Sequence, residues 1–461
     1  MNETLSQKHL LSFKDKRLET RFEKMISSMY KNPQSSIPET FKDSHQSKAA
    51  YRFFDNPKTQ TKNILNWYKE VTLEKINNLD HEETLLVIQD SSDINYSTHE
   101  SKEDIGPIQS YIKHGIRLHP SIVVTTNRVP LGIIACKMYS REEEETKLSA
   151  KELRKEKANK RKKIPIEEKE SYRWIESMEA SKELAKKYKA RTIINIGDRE
   201  CDFNEYISYC TNIEEDNLYF ITRSFQKRNI KEGEKLKKEI YKSKSQGEIN
   251  FIIQRGNRKQ KVTQKIKYKE MEVKVPKTQS KSGYLKITVI LAEEKNVPEG
   301  SKALDWILLS NIPVKTLEEA TSIIEKYLCR WEIEVFFKVL KSGCKIENLQ
   351  LTKESNIHKC ISMYMIVSIK VLFLMKLGRE HPSLASEIIF SEIEIKCLYR
   401  ALNKNLPKEK PKLGEVVRLI GQLGGYMNRN SDGPPGPKSI WVGTQRLAYI
   451  VLGLELSKEL V

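Results

Sequence analysis

The sequence predicts an α/β protein with a mixed sheet, whose last strands are joined by right-handed crossovers, and helical segments at both ends. Three observations carry this reading. The apolar runs TLLVIQD (84–90), TIINIGD (192–198) and LYFITR (218–223) have the length and composition of buried strands. Amphipathic helical segments alternate with the last two runs, as in crossover-linked parallel strands. The chain before residue 80 and most of the chain after the strand WILLS (306–310) follow helical spacing instead.

In order, KRLETRFEKMISSMY has helical apolar spacing, and SHQSKAAYRFFDNP reads as a capped helix ended by Asn56-Pro57. TLLVIQD is the first strand. LHPSIVVTT (118–126), the turn NRVP and LGIIACKMYS (131–140) read as strand, turn and strand. The mixed-charge run REEEETKLSAKELRKEKANKRKKIPIEEKE is a surface helix or an excursion. A helix, ESYRWIESMEASKELAKKYKA, leads to TIINIGD, and a second helix to LYFITR. From about residue 224 to 300 short alternating runs predict an antiparallel insertion. Its positive face (Arg255, Arg258, Lys259, Lys261, Lys265, Lys267) meets either phosphate or solvent. TLEEATSIIEKYLCRWEIEVFFKVLKSG predicts one long helix. ISMYMIVSIKVLFLMKLG (361–378) is short for a membrane span and split by Lys370, so a buried helix is expected. RNSDGPPGPKS marks a late turn.

The 461 residues are 38% hydrophobic and 31% charged, enough to fill a core beneath a charged surface. Lys and Arg exceed Asp and Glu by 81 to 62, so a polyanionic partner follows, nucleic acid ahead of anionic membrane. The N-terminus has no apolar targeting core. Seven cysteines without a CxxC pair argue against a disulfide framework and a zinc site, and fit a reduced compartment.

Asp90 and Asp198 each end an apolar run. A carboxylate there is either a turn or cap residue or an active-site group at a strand end. In the long helix, at about 100° per residue, Tyr327, Arg330, Glu334, Lys338 and Lys341 fall on a stripe roughly 80° wide. Apolar residues fill most of the remaining circumference, with Glu332 the main exception. The stripe either meets water, with Glu334 paired one turn away, or faces a cleft.

The spacing Y-(2)-R-(3)-E-(6)-K of Tyr327, Arg330, Glu334 and Lys341 resembles the YREK signature of the insertion sequence family 4 DDE transposases. SKAAYRFFDNP, VIQDSSDINYS, GDRECDF, LDWILLS and LGGYMNRNS resemble further family segments in the family's order, so the resemblance spans nearly the whole chain. It implies a ribonuclease-H-like catalytic core with an antiparallel β insertion, plus helical N-terminal and C-terminal domains. The implied division is 1–75 for DNA-end binding, 76–223 and 301–355 for the core, 224–300 for the insertion and 356–461 for dimerisation. By the same resemblance, the family's opening helix is expected to be shortened or missing here.

The resemblance also implies that Asp90, Asp198 and Glu334 hold two Mg²⁺ ions, with Mn²⁺ able to substitute. Tyr327, Arg330 and Lys341 would grip phosphates, with Arg223 a basic contact and Lys227 and Arg228 beyond it. Trp306 would stack near a flipped base, or else be an ordinary core aromatic. The implied activity is cut-and-paste transposition through a DNA hairpin, with double-stranded DNA (transposon ends and target) as partner and a homodimer in the synaptic complex. No membrane and no small-molecule substrate is expected, and the implied location is the bacterial cytoplasm at the nucleoid. The alternatives are a structure-specific nuclease with the same core and a non-catalytic DNA-binding inhibitor of transposition.

Overall fold

The computed structural model describes residues 13–459 except positions 14, 42, 100–101, 103, 110–111, 256–257 and 302 and most of 143–163. The start of the chain and most of the mixed-charge run therefore lie outside the described residues. The elements begin with α1 (Lys16–Lys31), α2 (Ile37–Phe41), α3 (Ser44–Asp55) and α4 (Thr61–Asn77). Next come β1 (Leu85–Gln89), β2 (Ser92–Asn95), β3 (Gly115–Thr125), β4 (Pro130–Tyr139), α5 (Tyr172–Lys187), β5 (Ile193–Gly197), α6 (Asn204–Thr211) and β6 (Leu218–Arg223). Then follow α7 (Leu236–Lys242), β7 (Gly247–Arg255), β8 (Arg258–Lys274), β9 (Tyr284–Lys295), β10 (Trp306–Ser310), α8 (Leu317–Leu328) and α9 (Trp331–Lys338). The chain ends in α10 (Glu354–Glu380), α11 (Glu392–Ala401), α12 (Leu413–Leu423) and α13 (Pro437–Glu459). It divides into two compact units, one of residues 80–90 and 145–331, the other of residues 1–79, 91–144 and 332–461.

In the first of these units the strands lie in the order β1-β5-β6-β10-β9-β8-β7. β1, β5 and β6 are parallel, and the remaining pairings are antiparallel. Every residue of β1 and β5 is buried, which accounts for their unbroken apolar runs. The exceptions are two amides: Gln89 donates to Asn195 Oδ1 at 2.5 Å, Tyr206 Oη donates to the same oxygen at 3.1 Å, and Asn195 Nδ2 donates to Ser181 Oγ at 2.8 Å. A satisfied buried network of this kind resists register slippage between the two strands.

The insertion is antiparallel as expected, but its strands continue the central sheet through β9 and β10. The sequence reading misses α7, because seven residues with only Leu236 and Ile240 buried carry one turn of periodicity. The proposed positive face is reduced. Lys267 is 9% exposed and tied to Glu293 at 3.1 Å and to the Tyr241 carbonyl at 2.7 Å, while the side chains of Arg255, Arg258 and Lys259 lie outside the described residues.

The other unit holds both helical ends and the antiparallel strands β2-β3-β4. Asp15 and Asp43 cap α1 and α3, accepting from Arg17 N and His45 N at 2.9 Å, and α3 stops ahead of Asn56-Pro57. Phe13, Phe22, Phe53 and Trp67 form an aromatic core, with Phe22 edge-on to Trp67 at 4.9 Å. α10 is long and apolar enough to cross a membrane, yet 83% of its most apolar window is buried within the protein, as a core helix requires. β2 escapes the sequence reading because only Ile94 of its four residues is buried. All seven cysteines are free thiols.

Candidate active site

β1 and β5 run parallel with Ile88 opposite Ile196. Asp90 and Asp198 each follow two residues later, so the two carboxylates stand level at the C-terminal ends of neighbouring strands. Strand ends of this kind are where an open α/β sheet exposes chemistry. Asp198 is also a cap: its Oδ1 accepts from Glu200 N at 2.7 Å and starts a short 3₁₀ turn over Arg199–Cys201. Thr222 of β6 donates to its carbonyl at 2.8 Å, so the neighbouring strand positions its backbone. Gly197 is required just before it, since a Cβ there would sit 2.4 Å from Cys201 Sγ.

Tyr327, Arg330 and Arg223 lie in the same unit as the two aspartates. Arg330 Nη1 donates to Asp90 Oδ2 at 2.9 Å, with side chains 14% and 18% exposed. The Arg330 guanidinium lies 5.9 Å from the centre of the Tyr327 ring. Burial pushes the Tyr327 phenol pKa up; Arg330 and Arg223 oppose this and Asp198 adds to it. Arg223 ends β6 and donates to the Asp305 carbonyl at 3.3 Å. Trp306 is half-buried, stacked against Phe251 at 6.1 Å and tilted against Tyr327 at 6.3 Å. It is thus part of an aromatic cluster at the start of β10 rather than a fully buried core side chain.

The single long helix expected over these residues is not continuous. α8 ends at Leu328, Arg330 N bonds to Tyr327 O in a tighter i−3 pattern, and α9 starts at Trp331. Past Lys338 the pattern loosens to a π-turn, Val339–Gly343, closed by Cys344 N to Val339 O at 2.8 Å. A uniform 100° step therefore does not hold along the whole segment. Two side chains have exposures opposite to their polarity, in the directions the wheel gives them, Trp331 at the edge of the polar stripe and Glu332 across from it. Trp331 is 60% exposed, while Glu332 is buried and paired with Lys376 at 2.7 Å.

Glu334, half-buried in the first turn of α9, and Lys341, in the π-turn, belong to the second unit. Lys341 donates to the Asp93 carbonyl and lies 3.9 Å from Glu347. Burial acts to raise the Asp93 pKa, but its two-point pairing with Arg117, at 2.7 and 2.9 Å, holds the carboxyl below its usual value.

Asp90 and Asp198 offer the carboxylate oxygens that a hard divalent cation takes, so their donor chemistry fits one. Among the described residues no three His, Cys, Asp or Glu are grouped to hold a metal ion. Arg330 brings a positive charge to Asp90.

Sequence reasoning missed what holds the loop after β6. Asp202, fully buried, accepts from Phe225 N and Gln226 N at 2.6 and 2.7 Å and from Arg228 Nε and Nη2 at 2.9 and 2.5 Å. Arg228 is itself 5% exposed, so it is a buried anchor and not the surface cation that its place beside Arg223 suggested. The second aspartate of GDRECD was the available signal.

Three stretches match known families. Residues 7–59 match a family described as transposase DNA-binding, 133–369 one described as transposase DDE domain, and 366–460 one described as transposase Tn5 dimerisation domain. The DDE match covers more than half of the chain; Asp198, Glu334 and the phenol–cation segment lie inside it, and Asp90 precedes it. Together the three matches support DNA binding, dimer formation and a general dependence on divalent metal. The chain belongs to the DDE transposases of the Tn5 type and is an enzyme that acts on DNA.

Proposed function

We propose that this transposase works by cut and paste on the inverted terminal repeats of its own insertion sequence, using a ribonuclease-H-like core. Asp90, Asp198 and Glu334 are the carboxylates that would hold two Mg²⁺ ions, with Mn²⁺ as a substitute. When bound, such a pair activates the attacking oxygen and stabilises the leaving oxygen of an in-line phosphoryl displacement. The observation that carries this reading is the level placement of Asp90 and Asp198 on adjacent parallel strands, with Arg330, Arg223 and Tyr327 beside them.

The chain's own side chains then divide the work. Arg330 exchanges the Asp90 carboxylate for a phosphate, which its planar fork binds in two-point fashion. Arg223 and Lys341 add point charges along the strand, and Tyr327, its phenol kept protonated, donates a hydrogen bond. Trp306 receives a base that leaves the stack when one strand bends sharply into a hairpin. The protein acts in the bacterial cytoplasm, as a dimer that pairs the two ends before joining them to target DNA.

Short inverted repeats flanking the reading frame supply the substrate for the test. Purified protein with that DNA and Mg²⁺ should give nicked and then hairpin products on a denaturing gel. Nicks without hairpins, under conditions where the DNA is bound, would remove the hairpin step. Asp90→Ala, Asp198→Ala and Glu334→Gln should each abolish cleavage and leave binding intact; cleavage by the Glu334 variant would exclude that residue from the metal set. A transposase-type DNA-binding segment argues against the reading as a nuclease without strand transfer.

A further inference from the structure

The 3₁₀ turn capped by Asp198 carries Arg199 on its outer side, and the Arg199 guanidinium lies 5.7 Å from the centre of the Phe225 ring. Phe225 is 65% exposed, so its ring and the guanidinium against it are both open to a ligand. It is also not on a loose loop. Its backbone N–H and that of Gln226 are held by the fully buried Asp202, which Arg228 holds in turn. The two side chains border a cavity of about 540 Å³ whose other walls include the buried Trp174 and Arg173 and the exposed Gln226. Glu200 also lines it, and its charge is met by Arg173 at 3.1 Å.

We propose that Phe225 and Arg199 form a shelf for one unstacked nucleobase of the DNA strand that passes Asp198, separate from the aromatic cluster of Trp306. An exposed ring with a guanidinium against it suits the π-face of a base, whatever its identity. Arg199 and the exposed Lys227 carry the charge that the flanking phosphates need. The short covalent path from Asp198 to Arg199 fixes the shelf next to the strand-end carboxylate. Asp202 and Arg228 act on the shelf only through the loop, as positioning residues. The inference rests on the DNA-acting reading above and adds a contact to it.

The test uses the full chain in EDTA, with a 20-nucleotide oligothymidylate and a blunt 20-base-pair duplex as probes, followed by fluorescence anisotropy. Phe225→Ala should weaken oligothymidylate binding about fivefold or more, the size of one lost aromatic–base stack. Duplex binding should stay within twofold, and Phe225→Trp should keep both affinities. Ultraviolet crosslinking to bromodeoxyuridine-substituted oligonucleotide should map to residues 224–228. Equal loss on both probes would make Phe225 a general contact and overturn the shelf, as would unchanged oligothymidylate binding or crosslinks only elsewhere. Failure of the wild-type chain to bind either probe would instead overturn the DNA-acting reading itself.

Discussion

Removing the Asp202 carboxylate should expose how strongly the loop after β6 depends on one buried ion pair. In Asp202→Ala, four hydrogen bonds are lost, two from backbone N–H groups and two from Arg228. The Phe225 and Gln226 amides can turn to water, because the loop is exposed around them. Arg228 cannot: its side chain is 3% exposed, and only Asn204 Oδ1 would remain among its described partners. An uncompensated buried charge of this kind costs about 3–5 kcal/mol. Replacing both partners with apolar groups removes the charge as well as the bond and is often close to neutral. Urea unfolding followed by tryptophan fluorescence should therefore show a loss of about 3–5 kcal/mol for Asp202→Ala, and of no more than about 1 kcal/mol for Asp202→Ala/Arg228→Met. A single variant within about 1 kcal/mol of wild type, or a double variant as unstable as the single, would refute the reasoning.

Three further predictions follow from other parts of the molecule. Arg330→Ala should raise the affinity for Mn²⁺ in the absence of DNA, measured by calorimetry, because a cation no longer occupies Asp90; unchanged affinity would mean that the pair does not compete with metal. Gly197→Ala should destabilise by about 1–3 kcal/mol, since its Cβ would meet the buried Cys201 sulfur, and Gly197→Ala/Cys201→Ala should recover most of the loss in thermal melts. Burial pushes the Lys75 and Lys370 ammonium groups down from 10.5 to about 8, with Lys370 also repelling Lys75. Between those values the unfolded chain binds more protons than the folded one, so this contribution to stability increases as pH rises through that window. Lys370→Met should raise the melting temperature at neutral pH and flatten the rise between pH 8 and 10; an unchanged pH slope would count against it.

The strands that carry Asp90 and Asp198 were readable from sequence because they are buried on both faces, and such strands must be apolar throughout. The capped helices α1 and α3 were readable because caps and proline act within a few residues. α7 and β2 were not, since each is too short for its periodicity to rise above chance. The single helix expected over residues 327–343 failed for another reason: periodicity assumes one hydrogen-bond pattern, whereas the structure has a tight turn before Trp331 and a wide one around Lys341. Trp331 is exposed and Glu332 buried, the reverse of their polarities, because the wheel gives only direction, and the partner that lets Glu332 stay buried, Lys376, lies far along the chain.

By itself, then, the sequence determined the chemistry on offer: two carboxylates at strand ends, a phenol, cations and a carboxylate at fixed spacing, and a basic chain suited to DNA. Spacing along the chain carries that information, because periodicity and motif order are local properties. Only the tertiary structure decided which groups meet. It set Asp90 level with Asp198 through the β1–β5 register and gave Asp90 to Arg330. It withdrew Arg228 into a pair with Asp202 and left Phe225 in the open. Those outcomes depend on contacts between residues far apart in sequence, where burial and charge pairing are settled by the whole fold and not by any one segment.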